Sequence, residues 1–321
     1  FAMEASQKGL SVAVLERKKD VREALHTTGV LVQEAADLIS VPEGVCKKIN
    51  QVRLYASSLR YVEIASDSYL FLATDTPELM QHLLTDVESY GVSVLLGEVF
   101  FNAVEDANII QVNDGALSCR FLVGADGAKS KVADVCHLGK NTKFLMGTEY
   151  EYTGVDMDNP DAFYCFLNKK LAPGYIGWVI SGPRVVQVGL AKTYHNKKQS
   201  RPDIEGFLDY IRSELKLVSP KIVEKRGGLI PIGGVVTPFY RNNIILVGDA
   251  AGIVSPLTAG GIHTALFYGR RLGELIHDYL KKDGQHPGKI LDKEYPRFRH
   301  KHVYRWVFEK IPDRVFNVLL R

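Results

Sequence analysis

The stretch that most constrains this chain of 321 residues is 242–266, NNIILVGDAAGIVSPLTAGGIHTAL. It opens on a run of buried-strand character, Ile244, Ile245, Leu246 and Val247, which stops at Gly248-Asp249. Small residues follow, then Pro256, then Gly260, Gly261 and Ile262 at the mouth of a long amphipathic helix. A strand that stops at Gly-Asp presents one carboxylate at its carboxyl end, where open α/β sheets bind their ligands. A glycine pair opening a helix lets a ligand approach bare N–H groups at the positive end of the helix dipole. Together these parts suit a large ligand with a hydroxylated arm and an anionic edge. An ordinary strand, turn and helix is the bland alternative, but it does not require Gly-Asp, a proline and a glycine pair in this order.

GDAAG followed by SPLTAGGI resembles the C-terminal flavin motif of the geranylgeranyl reductase family, which is related to aromatic-ring hydroxylases and flavin-dependent halogenases. The resemblance implies an α/β fold with α+β elements: a Rossmann-type FAD-binding domain carrying an inserted, β-rich substrate domain. It implies FAD, with ribityl hydroxyls at Asp249 and the N1/O2 edge facing the helix that follows Gly261. Gly248, Pro256, Gly260 and Ile262 complete this part of the expected cofactor site.

The chain begins with a helix end, Ala2, Met3, Ala5 and a stop at Gly9, followed by a buried strand over 11–15 that ends at Glu16. That is the second half of a βαβ unit. A strand and a G-x-G-x-x-G loop, which need about 15 residues, are therefore expected upstream. FAD binding is expected to be weak without them. Glu16 is the candidate for a ribose diol, and Arg17 beside it is either a nucleotide contact or a solvated charge.

Further segments resemble the same family. GADGAKSKV, at 124–132, is similar to the Asp-Gly motif of the flavin hydroxylases, which makes Ala125 and Asp126 cofactor candidates; Ser130 is placed to cap the next helix. Val99, after the strand expected over 92–95, joins that implied set. His26-Thr27-Thr28-Gly29 stands where related reductases carry a Cys-x-Gly loop facing the flavin, with Thr27 or Thr28 at the cysteine position. Thr74 stands near the place of a flavin-contacting arginine. The hairpin over 172–191 resembles the aromatic YxWxFP segment of the prenyl reductases: Trp178 matches, Tyr175 is displaced by one, and Ile180-Ser181 replace Phe-Pro. Tyr175 and Trp178 are thus candidates for the substrate pocket, or simple core aromatics. Thr28, Tyr175 and His263 are the candidates for a proton donor, and His263, one turn into a helix, also reads as structural.

Residues 1–50, 73–140 and 236–285 are expected to form the FAD-binding domain, 51–72 and 141–235 the substrate domain, and 286–321 a helical C-terminal segment. Residues 20–50 read as irregular with a short helix over 33–39; 109–112 and 117–123 read as a hairpin pair; 202–217 reads as an amphipathic helix. Gly269 and Gly273 are expected to let the long helix lie close to the sheet. RFRHKHVYRW and the apolar residues after it suit either a packed terminal helix with a solvated basic side or, through 297–320, a peripheral contact with an anionic bilayer.

Composition narrows the partners. A net charge of +3 is too small to imply nucleic acid, and 46% hydrophobic residues is an ordinary globular value. The four cysteines lack the CxxC spacing of a zinc site, so no metal is expected and a reducing, cytoplasmic setting is. No run of 18 apolar residues suggests a membrane span. The resemblance implies FAD-dependent reduction of C=C bonds in an isoprenoid or similar lipid-like substrate, with NAD(P)H or ferredoxin as external electron donor. A monooxygenase or halogenase is the enzymatic alternative; a prenyl- or lipid-binding protein on the same fold is the non-enzymatic one.

Overall fold

The computed structural model describes residues 1–195, 201–282 and 284–320. Residues 196–200 of the expected segment 141–235, Asp283 of the segment 236–285, and the terminal Arg321 lie outside the described residues. The chain forms two compact units. The first comprises Phe1–Glu23, Met80–Thr142 and Pro231–Lys301; the second comprises Ala24–Leu79, Lys143–Ile230 and His302–Arg321.

In the first unit, the helix Ala2–Gln7 stops at Gly9, whose φ of +80° is the left-handed conformation that glycine adopts without strain. The strand Ala13–Glu16 then pairs in parallel with Ser93–Leu96. Leu122–Gly124 pairs in parallel with Ile244–Leu246, which also pairs antiparallel with Tyr240–Arg241. The buried run Ile244, Ile245, Leu246 and Val247 lies in one apolar core with Leu272, Leu275 and Ile276 of the helix Ile262–Lys282. Parallel strands covered by helices explain why these strands read as continuous apolar runs rather than alternating ones.

Two expectations change here. The segment 117–123 does not stay in one hairpin: Leu117–Cys119 pairs with Ile109–Val112, while Leu122–Gly124 leaves to join Ile244–Leu246. Burial of the Ile-Ile-Leu strand demands a second neighbour, and Leu122 and Val123 supply it. Gly269 and Gly273 do not face the sheet. A Cβ on Gly273 would stand 3.1 Å from the backbone N of Ala5, and one on Gly269 3.2 Å from that of Phe1, so the close approach is to the N-terminal helix.

The second unit is built on a seven-stranded sheet in the order Leu215–Pro231, Phe144–Met157, Val186–Tyr194, Gly177–Ser181, Ala162–Phe166, Gln51–Tyr55 and Tyr61–Ala65. One face buries Val179, Val188, Leu190, Tyr164 and Phe166 against Phe207 of the helix Ile204–Tyr210. On the other face, Ile180 packs with Ile49 and Ala73 of a small sheet. That sheet sets Phe71–Thr74 between Val30–Val32 and Cys46–Ile49, so the segment 20–50 is more regular than its sequence suggests.

The expected helix over 202–217 is shorter. Asp203 caps it through the Gly206 N–H, it runs Ile204–Tyr210 with a 3₁₀ turn Arg212–Glu214, and Leu215 already begins a strand beside Phe144–Met157. The C-terminal helices Arg299–Lys310 and Asp313–Leu319 follow Pro287–Glu294. No helix among the described residues is long and apolar enough to cross a membrane.

Candidate functional site

In the first unit the strand Ile244–Leu246 delivers the chain to Gly248, at φ +57°, and the 3₁₀ turn Gly248–Ala251 holds Asp249 in a half-buried position. Burial, with no nearby counter-charge, pushes the Asp249 carboxyl up to about 6. Its backbone carbonyl accepts a 2.8 Å hydrogen bond from Asn141 Nδ2, but its carboxylate has no partner among the described residues. A Cβ built on Gly261 would stand 3.0 Å from Asp249 Oδ1 and 2.9 Å from Val254 Cγ2. The aspartate and the bare helix start are therefore adjacent. The Ala265 N–H bonds the Gly261 carbonyl, so the amides of Gly261, Ile262 and His263 precede the helical ladder. No acidic side chain occupies the first turn to consume them. Pro256 is buried and Gly260 is exposed.

The other first-unit candidates lie at element ends. Glu16 closes its strand and accepts the Lys18 N–H at 2.9 Å, while Arg17 and Val99 are exposed. Asp126 is occupied: it accepts from Ser130 Oγ at 2.6 Å, Lys131 N at 2.6 Å and Val132 N at 2.9 Å. It anchors the start of the helix Lys131–Val135, and Ser130 caps that helix as expected. Ala125 is exposed beside it. Sequence reasoning missed Asn141, whose side-chain amide also donates to the Ala128 carbonyl at 3.1 Å and so ties the Asp-Gly turn to the Gly-Asp turn.

The second unit holds a buried polar stripe that the sequence did not announce. Glu149, Gly189, Trp178 and Cys165 are successive cross-strand partners, so they share one face of the large sheet. Gly189 has a specific reason to be glycine: a Cβ there would stand 2.4 Å from Trp178 Cζ2. Its absence lets the indole lie across the middle strand and donate from Nε1 to Glu149 Oε2 at 2.8 Å. Two residues along, Gln187 donates to Glu151 Oε1 at 3.2 Å. Arg226 reaches in from the edge strand, 2.8 Å from Glu151, 2.7 Å from Glu224 and 3.9 Å from Glu149 Oε1.

Thr27 and Thr28 join the same cluster. Arg226 donates to the Thr27 carbonyl at 3.2 Å, and Thr27 Oγ1 accepts the Gly29 N–H. The Thr28 hydroxyl approaches the Glu149 carboxyl. His26 Nδ1 lies 2.9 Å from the Gly227 carbonyl. Burial pushes Glu149 up to about 7, against the opposing pull of Thr28, Trp178 and Arg226. Burial drives the Tyr175 hydroxyl well above its ordinary value, and nearby Cys165 adds to the rise. His263 is half-buried, with its ring 6.1 Å from Phe267. Arg305 is not on a solvated basic side: it is 6% exposed and donates to the Gly174 carbonyl at 3.0 Å.

A strand ending at an unpaired aspartate, with a glycine-opened helix against it, defines a protein of the dinucleotide-binding α/β class, and the open carboxylate fits a polyhydroxylated cofactor. The profile of the FAD binding domain family matches residues 77–307, and the chain belongs to that family. It is an FAD-dependent oxidoreductase. It is 26% identical over 303 residues to digeranylgeranylglycerophospholipid reductase 2 of Methanopyrus kandleri, covering 88% of this chain and 74% of that protein. The geranylgeranyl bacteriochlorophyll reductase-like protein of Thermoplasma acidophilum shares the fold with a TM-score of 0.86 at 19% identity, covering 99% of this chain and 86% of that one. A mutant of halogenase PltM in complex with FAD shares it with a TM-score of 0.73 at 11% identity, covering 91% and 69%.

Proposed function

We propose that this chain reduces carbon–carbon double bonds in the isoprenoid chains of a lipid, with FAD held by the first unit and the substrate taken by the second. One observation carries the reading. The open Asp249 carboxylate and the bare Gly261 helix start occur in a chain whose relative, matched over 88% of this chain, is named for reducing a digeranylgeranyl lipid. Asp249 would accept hydrogen bonds from the ribityl hydroxyls of a bound FAD, and the amides from Gly261 to His263 would hold its electron-rich pyrimidine edge. Glu16 takes the ribose diol. The apolar ring faces of Trp178 and Tyr175 suit an isoprenoid chain.

When bound and reduced, FAD would supply the hydride for the double bond. The protein positions the double bond, excludes water and brings the proton. The external reductant is NAD(P)H bound transiently, or ferredoxin. Exposed Val303, Tyr304, Trp306 and Leu319, interleaved with basic residues over 297–320, support a peripheral contact with an anionic membrane, where such a substrate resides.

The halogenase fold relationship supports a second reading, oxygen-dependent monooxygenation or halogenation. Anaerobic mixing of the reduced protein with geranylgeranyl glycerolipids separates the two. Reoxidation of the flavin by lipid without oxygen supports the reductase; lipid-stimulated oxygen consumption with no anaerobic reoxidation supports the monooxygenase.

A further inference from the structure

Two neighbouring strands of the first unit each end in a candidate cofactor turn. Leu122–Gly124 leads into Asp126, Gly127 and Ala128, and Ile244–Leu246 leads into Gly248 and Asp249. The strands are parallel with Gly124 opposite Leu246, and the Val247 N–H donates to the Gly124 carbonyl at 3.0 Å. The two turns therefore leave the same end of the sheet side by side, where open α/β sheets bind their ligands. Among the described residues, no backbone hydrogen bond joins 125–129 to 248–252.

The Asn141 side chain makes that join. Its Nδ2 donates to the Ala128 carbonyl at 3.1 Å and to the Asp249 carbonyl at 2.8 Å, one hydrogen to each turn. The Asn141 loop is itself held, since the Gly139 N–H donates to the Pro238 carbonyl at 2.7 Å. The stretch it meets there also grips the Asp249 turn, with the Val236 N–H donating to the Ala251 carbonyl at 3.0 Å. The amide fits in one orientation only. Both partners are carbonyls, which accept and cannot donate, so the NH₂ must face them. Oδ1 is then left buried without a partner, and a Cβ added to Gly252 would stand 2.8 Å from it. A buried acceptor without a donor is costly, so the two amide bonds must outweigh it for the arrangement to persist.

The Asp249 carbonyl also accepts from the Gly252 N–H at 3.1 Å. Both bonds fall on the backbone of Asp249 and leave its carboxylate as the unused acceptor. We propose that Asn141 is a positioning residue for FAD, bracing the Asp126 turn against the Asp249 turn and so fixing where the Asp249 carboxylate stands for its ligand. This rests on the reading of Asp249 as a ribityl partner given above.

The first test needs no cofactor. Amide hydrogen exchange in the FAD-free chain follows Gly252, bonded to the Asp249 carbonyl, and Val132, bonded to Asp126 Oδ2 at 2.9 Å. Asn141→Ala is expected to speed exchange at both amides about 10-fold, the worth of one hydrogen bond. Asn141→Asp should speed it further although it keeps the shape, because it sets a carboxylate against two carbonyls. Unchanged exchange at either amide overturns the proposal. If Asn141→Ala does not fold, the wild type decides: side-chain amide protons of Asn141 that exchange slowly support the brace, and freely exchanging ones overturn it.

The second test titrates FAD by fluorescence. Asn141→Ala is expected to weaken binding about 10-fold, yet to add no more than about 2-fold to the loss in Asp249→Ala, because residues acting as one unit are not additive. The pH midpoint of FAD affinity should also move down from about 6 towards the ordinary 3.8, since a loosened turn admits water to a carboxyl raised by burial. A merely structural role would move neither the coupling nor the midpoint. Fully additive losses overturn the proposal alone. Wild-type affinity in Asp249→Ala overturns the reading of Asp249 beneath it.

Discussion

Asp249 carries the cofactor side of this account at the scale of one residue. Its carboxylate lies 3.0 Å from where a side chain on Gly261 would begin and has no protein partner among the described residues, so a ligand hydroxyl is the natural donor. Asp249→Ala is expected to weaken FAD binding by about 10–100-fold, the worth of one or two hydrogen bonds to a charged group, in a fluorescence titration. Wild-type affinity should also drop as pH falls through about 6, where burial makes this carboxyl take up its proton. Glu149 gives a stability prediction with a definite sign. Its proton leaves near 4.5 in an unfolded chain and near 7 in the folded one. The folded state therefore binds the extra proton between those values, and stability falls by up to about 1.4 kcal/mol per pH unit as pH rises across that window. Denaturant melts should show this slope in wild type and its loss in Glu149→Gln.

At the scale of elements, the legible parts were those whose chemistry is local. Gly248-Asp249, the Gly261 helix start, Ser130 as a cap and the Gly9 stop each depend on a few adjacent residues, and the chain states them directly. The Glu149 stripe was not legible. Glu149, Gln187, Trp178 and Arg226 come from four strands, and only the register of the sheet sets them side by side. Glu149 and Glu151 alternate with Tyr150 and Tyr152, which reads as a solvated strand face until the small sheet and the threonine loop prove to cover it. Gly189 is the signal that could have been heeded, a glycine inside an otherwise apolar strand, marking a close approach. Gly189→Ala would push a methyl into the Trp178 ring. A loss of about 1–3 kcal/mol in stability and disruption of the Trp178–Glu149 hydrogen bond are expected, read by denaturant melts and by indole fluorescence.

For the whole molecule, the chain comprises two units of different construction: one built on parallel pairs under helices, the other on a broad, mainly antiparallel sheet. The interruption of the first unit by the second in sequence was legible as discontinuous flavin-like segments with strand-rich stretches between them. The membership of residues 24–50 was harder to read, because their two short strands gain meaning only by pairing with Phe71–Thr74. Exposed apolar and basic residues over 297–320 predict that the protein floats with vesicles containing anionic lipid and not with neutral ones, and that Trp306→Ala with Leu319→Ala reduces flotation several-fold. The central claim concerns the reaction itself, and mass spectrometry of the lipid tests it most directly. After anaerobic incubation with FAD-loaded protein and a chemical reductant, the account predicts digeranylgeranyl glycerolipid heavier by two hydrogens for each double bond consumed. Unchanged lipid under those conditions, or a product that gains oxygen or halide once air is admitted, would contradict it.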